Sequence, residues 1–123
     1  MDPQARLAGK RILVAEDEYM LAHDLKVLFE REGATVVGPF ASAAAATAAL
    51  SRETFDGAVL DIALAGGAVY PLAAELRRRG TPFMFLTGFS CKDIRPEFAG
   101  APCLEKPFDD LRVLTAIQAI LRD

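Results

Sequence analysis

Asp56-Gly57-Ala58-Val59-Leu60-Asp61 is a short apolar run ending in an acid, and the rest of the chain reads outward from it. It is too short for a helix and has no polar alternation, so Gly57–Asp61 reads as a strand buried on both faces. The pattern recurs at Arg11–Ala15, stopped by Glu16-Asp17, at Pro82–Leu86, stopped by Thr87-Gly88, and at Ala101–Glu105, stopped by Lys106-Pro107. A β-branched run, Thr35–Gly38, is halted by Gly38-Pro39. Helical patterns lie between these runs. Tyr19–Arg31 spaces Leu21, Leu25, Leu28 and Phe29 on one face and meets a stop at Gly33. Ser42 can cap an Ala-rich helix from Ala43 to about Arg52. Val69–Arg79 carries Leu72 and Leu76, ends at Gly80 and puts three arginines at the negative end of its dipole. Asp109 or Asp110 can cap a last helix whose stripe is Leu111, Leu114, Ile117 and Leu121. Ala65-Gly66-Gly67-Ala68 reads as a flexible loop, and Ser90–Phe98 as a weak helical pattern broken at Pro96.

The alternation is (βα)5, which implies a parallel sheet with helices on both faces and right-handed crossovers. The 123 residues suit one domain over 1–123, and 52% apolar content supplies a core without disulfide or structural metal. A net charge of −3 offers no basic field for nucleic acid, and no apolar run is long enough to cross a bilayer. The polar start, Met1–Arg11, lacks the pattern of a secretion signal, so the expected compartment is the cytoplasm. Cys91 and Cys103 have no metal-ligand spacing and read as two reduced thiols.

In an open parallel sheet, sites lie beyond the carboxyl ends of the strands. There the chain sets Glu16 and Asp17, Asp61, Thr87 and Lys106: carboxylates, a hydroxyl and an amine. Three carboxylates in one pocket repel, and a divalent cation removes the conflict. An all-oxygen set with room for water suits Mg²⁺ better than Zn²⁺. Lys106 can pair with a phosphoryl oxygen, and Thr87, with the backbone N–H of Gly88, can donate to another. Asp61 can act as a carboxylate nucleophile. Read singly, Asp17 is a helix cap, Thr87 a turn hydroxyl, Lys106 a solvated lysine, His23 a surface histidine and Arg77–Arg79 a solvated helix end. Convergence of the first three with Asp61 favours the site.

The chain resembles the receiver domains of two-component response regulators. Ile12-Leu13-Val14-Ala15-Glu16-Asp17-Glu18 is similar to the family's first strand with its acidic pair, and Asp56–Asp61 to its third strand with the phospho-acceptor. Leu86-Thr87-Gly88 matches the switch-hydroxyl segment, and Leu104-Glu105-Lys106-Pro107-Phe108 the lysine segment. The resemblance covers nearly the whole chain. It implies a flavodoxin-like fold; the strand order 2-1-3-4-5 is carried over from proteins of that arrangement, receivers among them, rather than derived from the residues. It further implies phosphorylation of Asp61 and Mg²⁺ held by Glu16, Asp17, Asp61 and the carbonyl of Ala63. Thr87 and Lys106 would contact the phosphoryl group, and the Lys106–Pro107 peptide would be cis. Its partners would be a sensor histidine kinase and a downstream protein target, with no nucleic acid and no membrane. Its only catalysis would be its own phosphorylation and dephosphorylation, and parts of the first helix form the kinase-docking face in related receivers.

One position departs from the family: the usual aromatic switch residue, three before the lysine, is Cys103, while an aromatic stands at Phe89. Pro82-Phe83-Met84-Phe85-Leu86-Thr87-Gly88-Phe89 resembles the receiver subgroup marked by Phe-Ala-Thr-Gly-Tyr, which implies a kinase of the HWE or a related type and a segment that moves after the fourth strand. Phe89 is then the candidate switch aromatic, placed to slow the approach of water to a phosphorylated Asp61. Competing readings are a flavin-binding module, disfavoured by the acids where a phosphate loop would sit, and an aspartyl phosphatase, disfavoured by Ala63 where such enzymes carry a second aspartate. A role as a phosphate sink for a kinase stays open beside that of an adaptor. Met1 and Asp123 suggest a complete small protein, with the receiver end of a hybrid kinase as the alternative.

Overall fold

The computed structural model describes residues 6–64 and 69–121. The elements are β1 (Arg11–Ala15), α1 (Tyr19–Arg31), β2 (Thr35–Phe40), α2 (Ala43–Ala49), β3 (Gly57–Asp61), α3 (Val69–Arg78), β4 (Phe83–Thr87), β5 (Cys103–Glu105) and α4 (Asp110–Ile120). Two 3₁₀ turns, Cys91–Asp93 and Pro96–Phe98, lie between β4 and β5. The five strands are parallel in the order β2-β1-β3-β4-β5, the flavodoxin-like arrangement.

Successive strand residues point to opposite faces, and this divides the core in two. Leu13 and Ala15 of β1, Ala58 and Leu60 of β3 and Phe83 and Phe85 of β4 pack against α2 and α3 through Ala43, Ala46, Leu72 and Leu76. Ile12, Val14, Val59, Met84 and Leu86 pack on the opposite face against Leu25, Leu28 and Phe29 of α1 and Val113, Leu114 and Ile117 of α4. β1, β3 and β4 therefore need apolar residues at every interior position, which is why they appear as unbroken runs. Local chemistry sets several boundaries. Gly33 takes φ +93° after α1. Ser42 Oγ accepts from Ala45 N (3.2 Å) at the start of α2, and Asp109 Oδ1 from Arg112 N (2.8 Å) at the start of α4.

Some boundaries differ from the sequence expectation. β2 runs past Gly38 to Phe40 through a cis Gly38–Pro39 peptide, with a register shift opposite Leu13 to Ala15. The strand lies at the sheet edge, where proline's missing N–H breaks no ladder bond. α2 stops at Ala49 rather than Arg52, and the Ser51 hydroxyl and Arg52 guanidinium donate instead to the carbonyl of Ala48. β5 begins at Cys103, not Ala101, and Leu111 is 62% exposed in the first turn of α4, its core place taken by Val113. Ser90–Phe98 forms the two 3₁₀ turns and no α-helix. The expected loop at 65–68 lies outside the described residues.

The cysteines correct the sequence reading. Cys91 and Cys103 are joined in a disulfide with Cα atoms 5.9 Å apart, not present as two free thiols. Twelve residues of separation carry no pairing signal. The partners meet because β5 returns parallel to β4, with Cys103 beside Phe85, while the first 3₁₀ turn folds back over the strand end.

Candidate functional site

The strand registers bring Ala15 beside Leu60, Asp61 beside Leu86 and Thr87 beside Glu105, so the carboxyl ends of β1, β3, β4 and β5 form one rim. Asp61 is the last residue of β3 and Thr87 the last of β4; both are buried, as is Glu16 just past β1. Asp17 is exposed. Glu16, Asp17 and Asp61 each present a carboxylate oxygen, and the three oxygens lie within 4.8 Å of one another. Lys106 reaches in from the end of β5, where its N–H donates to the carbonyl of Thr87 (2.7 Å) and its bond to Pro107 is cis, as the resemblance implied. Its Nζ lies 3.0 Å from Glu16 Oε1, 3.4 Å from Asp61 Oδ2 and 3.2 Å from Glu18 Oε1.

Backbone amides fix the carboxylates. Ala63 N donates to Asp61 Oδ1 (3.0 Å), and Glu18 N to Glu16 Oε2 (2.9 Å). Thr87 Oγ1 accepts from Phe89 N (3.0 Å), so its hydroxyl hydrogen stays available for another acceptor. Gly88 is exposed, and Phe89 projects its ring into solvent, 75% exposed.

Charge at the rim is unbalanced. Burial is the main reason Glu16 is pushed up to about 7; the neighbouring Asp61 carboxylate adds to this, while Glu18 N and Lys106 pull the other way. Burial lowers the ammonium of Lys106, but Glu16, Asp61 and Glu18 together more than offset it and hold it above its ordinary value. Lys106 approaches Glu16 Oε1 as a point charge outside hydrogen-bond geometry, and that buried oxygen has no hydrogen-bond partner among the described residues. A buried, unbonded carboxylate oxygen within 4.8 Å of two others fits a hard divalent cation bound by oxygen ligands.

The residues singled out from sequence thus come together: Glu16, Asp17, Asp61, Ala63, Thr87 and Lys106 share the rim, with Gly88 and Phe89 on its outer lip. Sequence reasoning missed Glu18 as a partner of Lys106; the signal was its place as third acid in the run after β1. Arg77 and Arg78 of α3 and Arg79 just after it have structural partners: Arg77 donates to Glu97 O (2.8 Å) and covers the Phe98 ring at 4.6 Å, and Arg79 donates to Leu50 O (2.6 Å). Arg78 pairs with Glu75.

Known proteins are similar to this chain in sequence and fold. A family model described as the response regulator receiver domain matches residues 12–118. The transcriptional regulatory protein PdtaR of Mycobacterium tuberculosis is 30% identical over 113 residues, which cover 89% of this chain and 55% of PdtaR. Among solved structures, SdrG from Sphingomonas melonis Fr1 is similar at 36% identity and TM-score 0.80, covering 95% of this chain and 98% of SdrG. The response regulator PhyR from Brucella abortus is similar at 26% identity and TM-score 0.81, covering 95% of this chain and 49% of PhyR. The chain spans about half the length of PdtaR and PhyR.

Proposed function

This chain belongs to the response regulator receiver family of two-component signalling, and on that premise we propose that Asp61 accepts a phosphoryl group from a sensor histidine kinase in the presence of Mg²⁺. One observation carries the reading: a buried carboxylate at the end of the central strand has two further carboxylates within 4.8 Å and a lysine ammonium 3.4 Å away.

Glu16, Asp17, Asp61 and the Ala63 carbonyl would hold the ion. Mg²⁺ bound there would offset the charge of the phosphoryl oxygens. The remaining work falls to the chain. Ala63 N holds Asp61 Oδ1, which fixes the carboxylate for in-line attack. An Asp61 oxygen bonds to phosphorus as the bond from phosphorus to the kinase histidine nitrogen breaks, and the electron pair leaves with that nitrogen. Lys106 gives a fixed positive charge to one phosphoryl oxygen; Thr87 Oγ1 and the N–H of Gly88 donate to others. Glu18 must release Lys106 or share it, since both it and the incoming phosphoryl group compete for the same ammonium.

In this reading the chain acts as one receiver unit in the cytoplasm. It catalyses only its own phosphorylation and dephosphorylation and passes the signal by protein contact. Among the described residues no helix is long and apolar enough to cross a membrane. The likeness of Leu86-Thr87-Gly88-Phe89 to the Phe-Ala-Thr-Gly-Tyr subgroup supports a kinase of the HWE or a related type. The test is phosphotransfer from candidate phosphorylated kinases with Mg²⁺ to wild type and to Asp61→Asn: label on the first and none on the second is expected. Equal labelling of the two overturns the reading.

A further inference from the structure

We propose that Cys91 and Cys103 form a reversible redox clamp that holds the β4–β5 corner in its resting position, so that phosphoryl acceptance at Asp61 responds to the thiol–disulfide state of the cell. The coupling to Asp61 and the reducing compartment rest on the receiver reading given above; the covalent link between the two segments does not.

The bond lies at a corner of the sheet held more by side-chain contacts than by regular backbone hydrogen bonding. β5 has three residues, and the crossover before it holds only two single 3₁₀ turns separated by the extended residues Ile94 and Arg95. Such turns have little hydrogen bonding of their own. The segment is otherwise held by the buried side chains of Ile94 and Phe98, by Arg77 on Glu97 O, and by Arg95, whose N–H donates to the Tyr70 hydroxyl (3.3 Å). Cys91 N also donates to Glu105 Oε2 (2.9 Å), across the same gap that the disulfide spans. Cys91 follows Thr87 by four residues and Cys103 precedes Lys106 by three, so the covalent link joins the two segments that bear the phosphoryl-contacting groups.

Two features favour a reversible bond over a structural staple. The buried side chains of the two apolar clusters come from other residues, and the disulfide packs only against the edge of one of them. Both cysteines are half-buried at the edge of the core rather than enclosed in it. In a reducing compartment, disulfides are characteristically transient or redox-sensing. Closure by a small disulfide proceeds by exchange. One cysteine thiolate attacks a sulfur of the small disulfide and expels one thiolate, leaving a mixed disulfide. The second cysteine thiolate then attacks the protein sulfur of that bond, forming Cys91–Cys103 and expelling the other thiolate. The two cysteine protons pass to the expelled thiolates through solvent, and the small disulfide takes up two electrons. A dithiol reverses the sequence.

If a phosphoryl group favours a shifted β4–β5 corner and the disulfide favours the resting one, each must weaken the other to the same degree. The full chain, equilibrated in glutathione–glutathione disulfide mixtures, should pass from two free thiols to none with no glutathione retained. A persistent glutathione adduct, or two free thiols under all mixtures, overturns the clamp. Amide exchange across 88–105 should be about fivefold or more faster in the reduced chain, and Cys103→Ser and Cys91→Ser should match the reduced chain under both conditions. Equal exchange in oxidised and reduced protein overturns it as well. Beryllofluoride with Mg²⁺ should bind the reduced chain about fivefold or more tightly than the oxidised one, a difference that both serine variants abolish. Equal affinity overturns the coupling to Asp61. Absence of binding in either state overturns the Asp61 reading instead, and thiol count and exchange then decide the clamp.

Discussion

β1 and β3 on one side of the site and the β4–β5 corner on the other are built on opposite principles. β1 and β3 pair over four consecutive residues, every position of β3 is buried, and both apolar clusters draw on them. The corner has a three-residue strand of half-buried and exposed residues, two isolated 3₁₀ turns and a disulfide. The acids stand on the first region and the hydroxyl and amine are linked to the second. Carboxylates that must stay close despite repulsion need rigid strands behind them; in the proposed function the hydroxyl and amine follow an incoming phosphoryl group, which needs backbone that can shift at low cost.

Stability should divide along the same line. Leu60, fully buried in β3, should cost about 3–4 kcal/mol on truncation to alanine, and Leu104, half-buried in β5, about 1 kcal/mol, by chemical denaturation. Equal losses would break the comparison. Next in size, Lys106→Ala should slow phosphoryl acceptance about 10²-fold, as for removal of one preorganised donor to developing charge. The same substitution should leave far-ultraviolet circular dichroism unchanged. Full activity in that variant would leave the amine without a role in transfer.

Dynamics sharpen the contrast. In the reduced chain, beryllofluoride with Mg²⁺ should change amide exchange across Ser90–Phe98 about tenfold, with little change in β1 and β3. A uniform response would show that the corner is no more responsive than the centre. The smallest effect concerns Phe89. Its exposed ring stands two residues beyond Thr87 on the lip of the site, and Ala63 offers no polar side chain to guide water. Phe89→Ala should therefore shorten the lifetime of phosphorylated protein about two- to fivefold, a barrier change below about 1 kcal/mol. Unchanged decay would remove Phe89 from the path of water.

The central half was legible because burial on both faces leaves an unmistakable record: Gly57–Asp61 and Arg11–Ala15 agree with the structure to the residue. The acids, hydroxyl and amine were legible from their place at strand ends, since parallel strands must deliver those ends to one rim. The corner was not. Pro96 and Pro102 interrupt any periodicity there, and a strand as short as Cys103–Glu105 has too few residues to show one. The disulfide left no signal because pairing depends on how β5 returns beside β4, a tertiary fact. Pro39 looked like a stop because nothing local tells an edge strand, which tolerates it, from a central one. Glu18 was overlooked as a partner of Lys106 because a charge run reads as a solvated surface until the facing residue, 88 positions away, is placed.

The central claim is that Asp61 becomes an acyl phosphate. Incubation of the full chain with Mg²⁺ and a small phosphodonor such as acetyl phosphate, followed by borohydride trapping and peptide mass mapping, tests it most directly. The account predicts homoserine at position 61 in the phosphorylated sample and at no other acidic position. Trapped product at Glu16 or Asp17 instead, or no product at Asp61 under conditions where a known receiver is labelled, would contradict it.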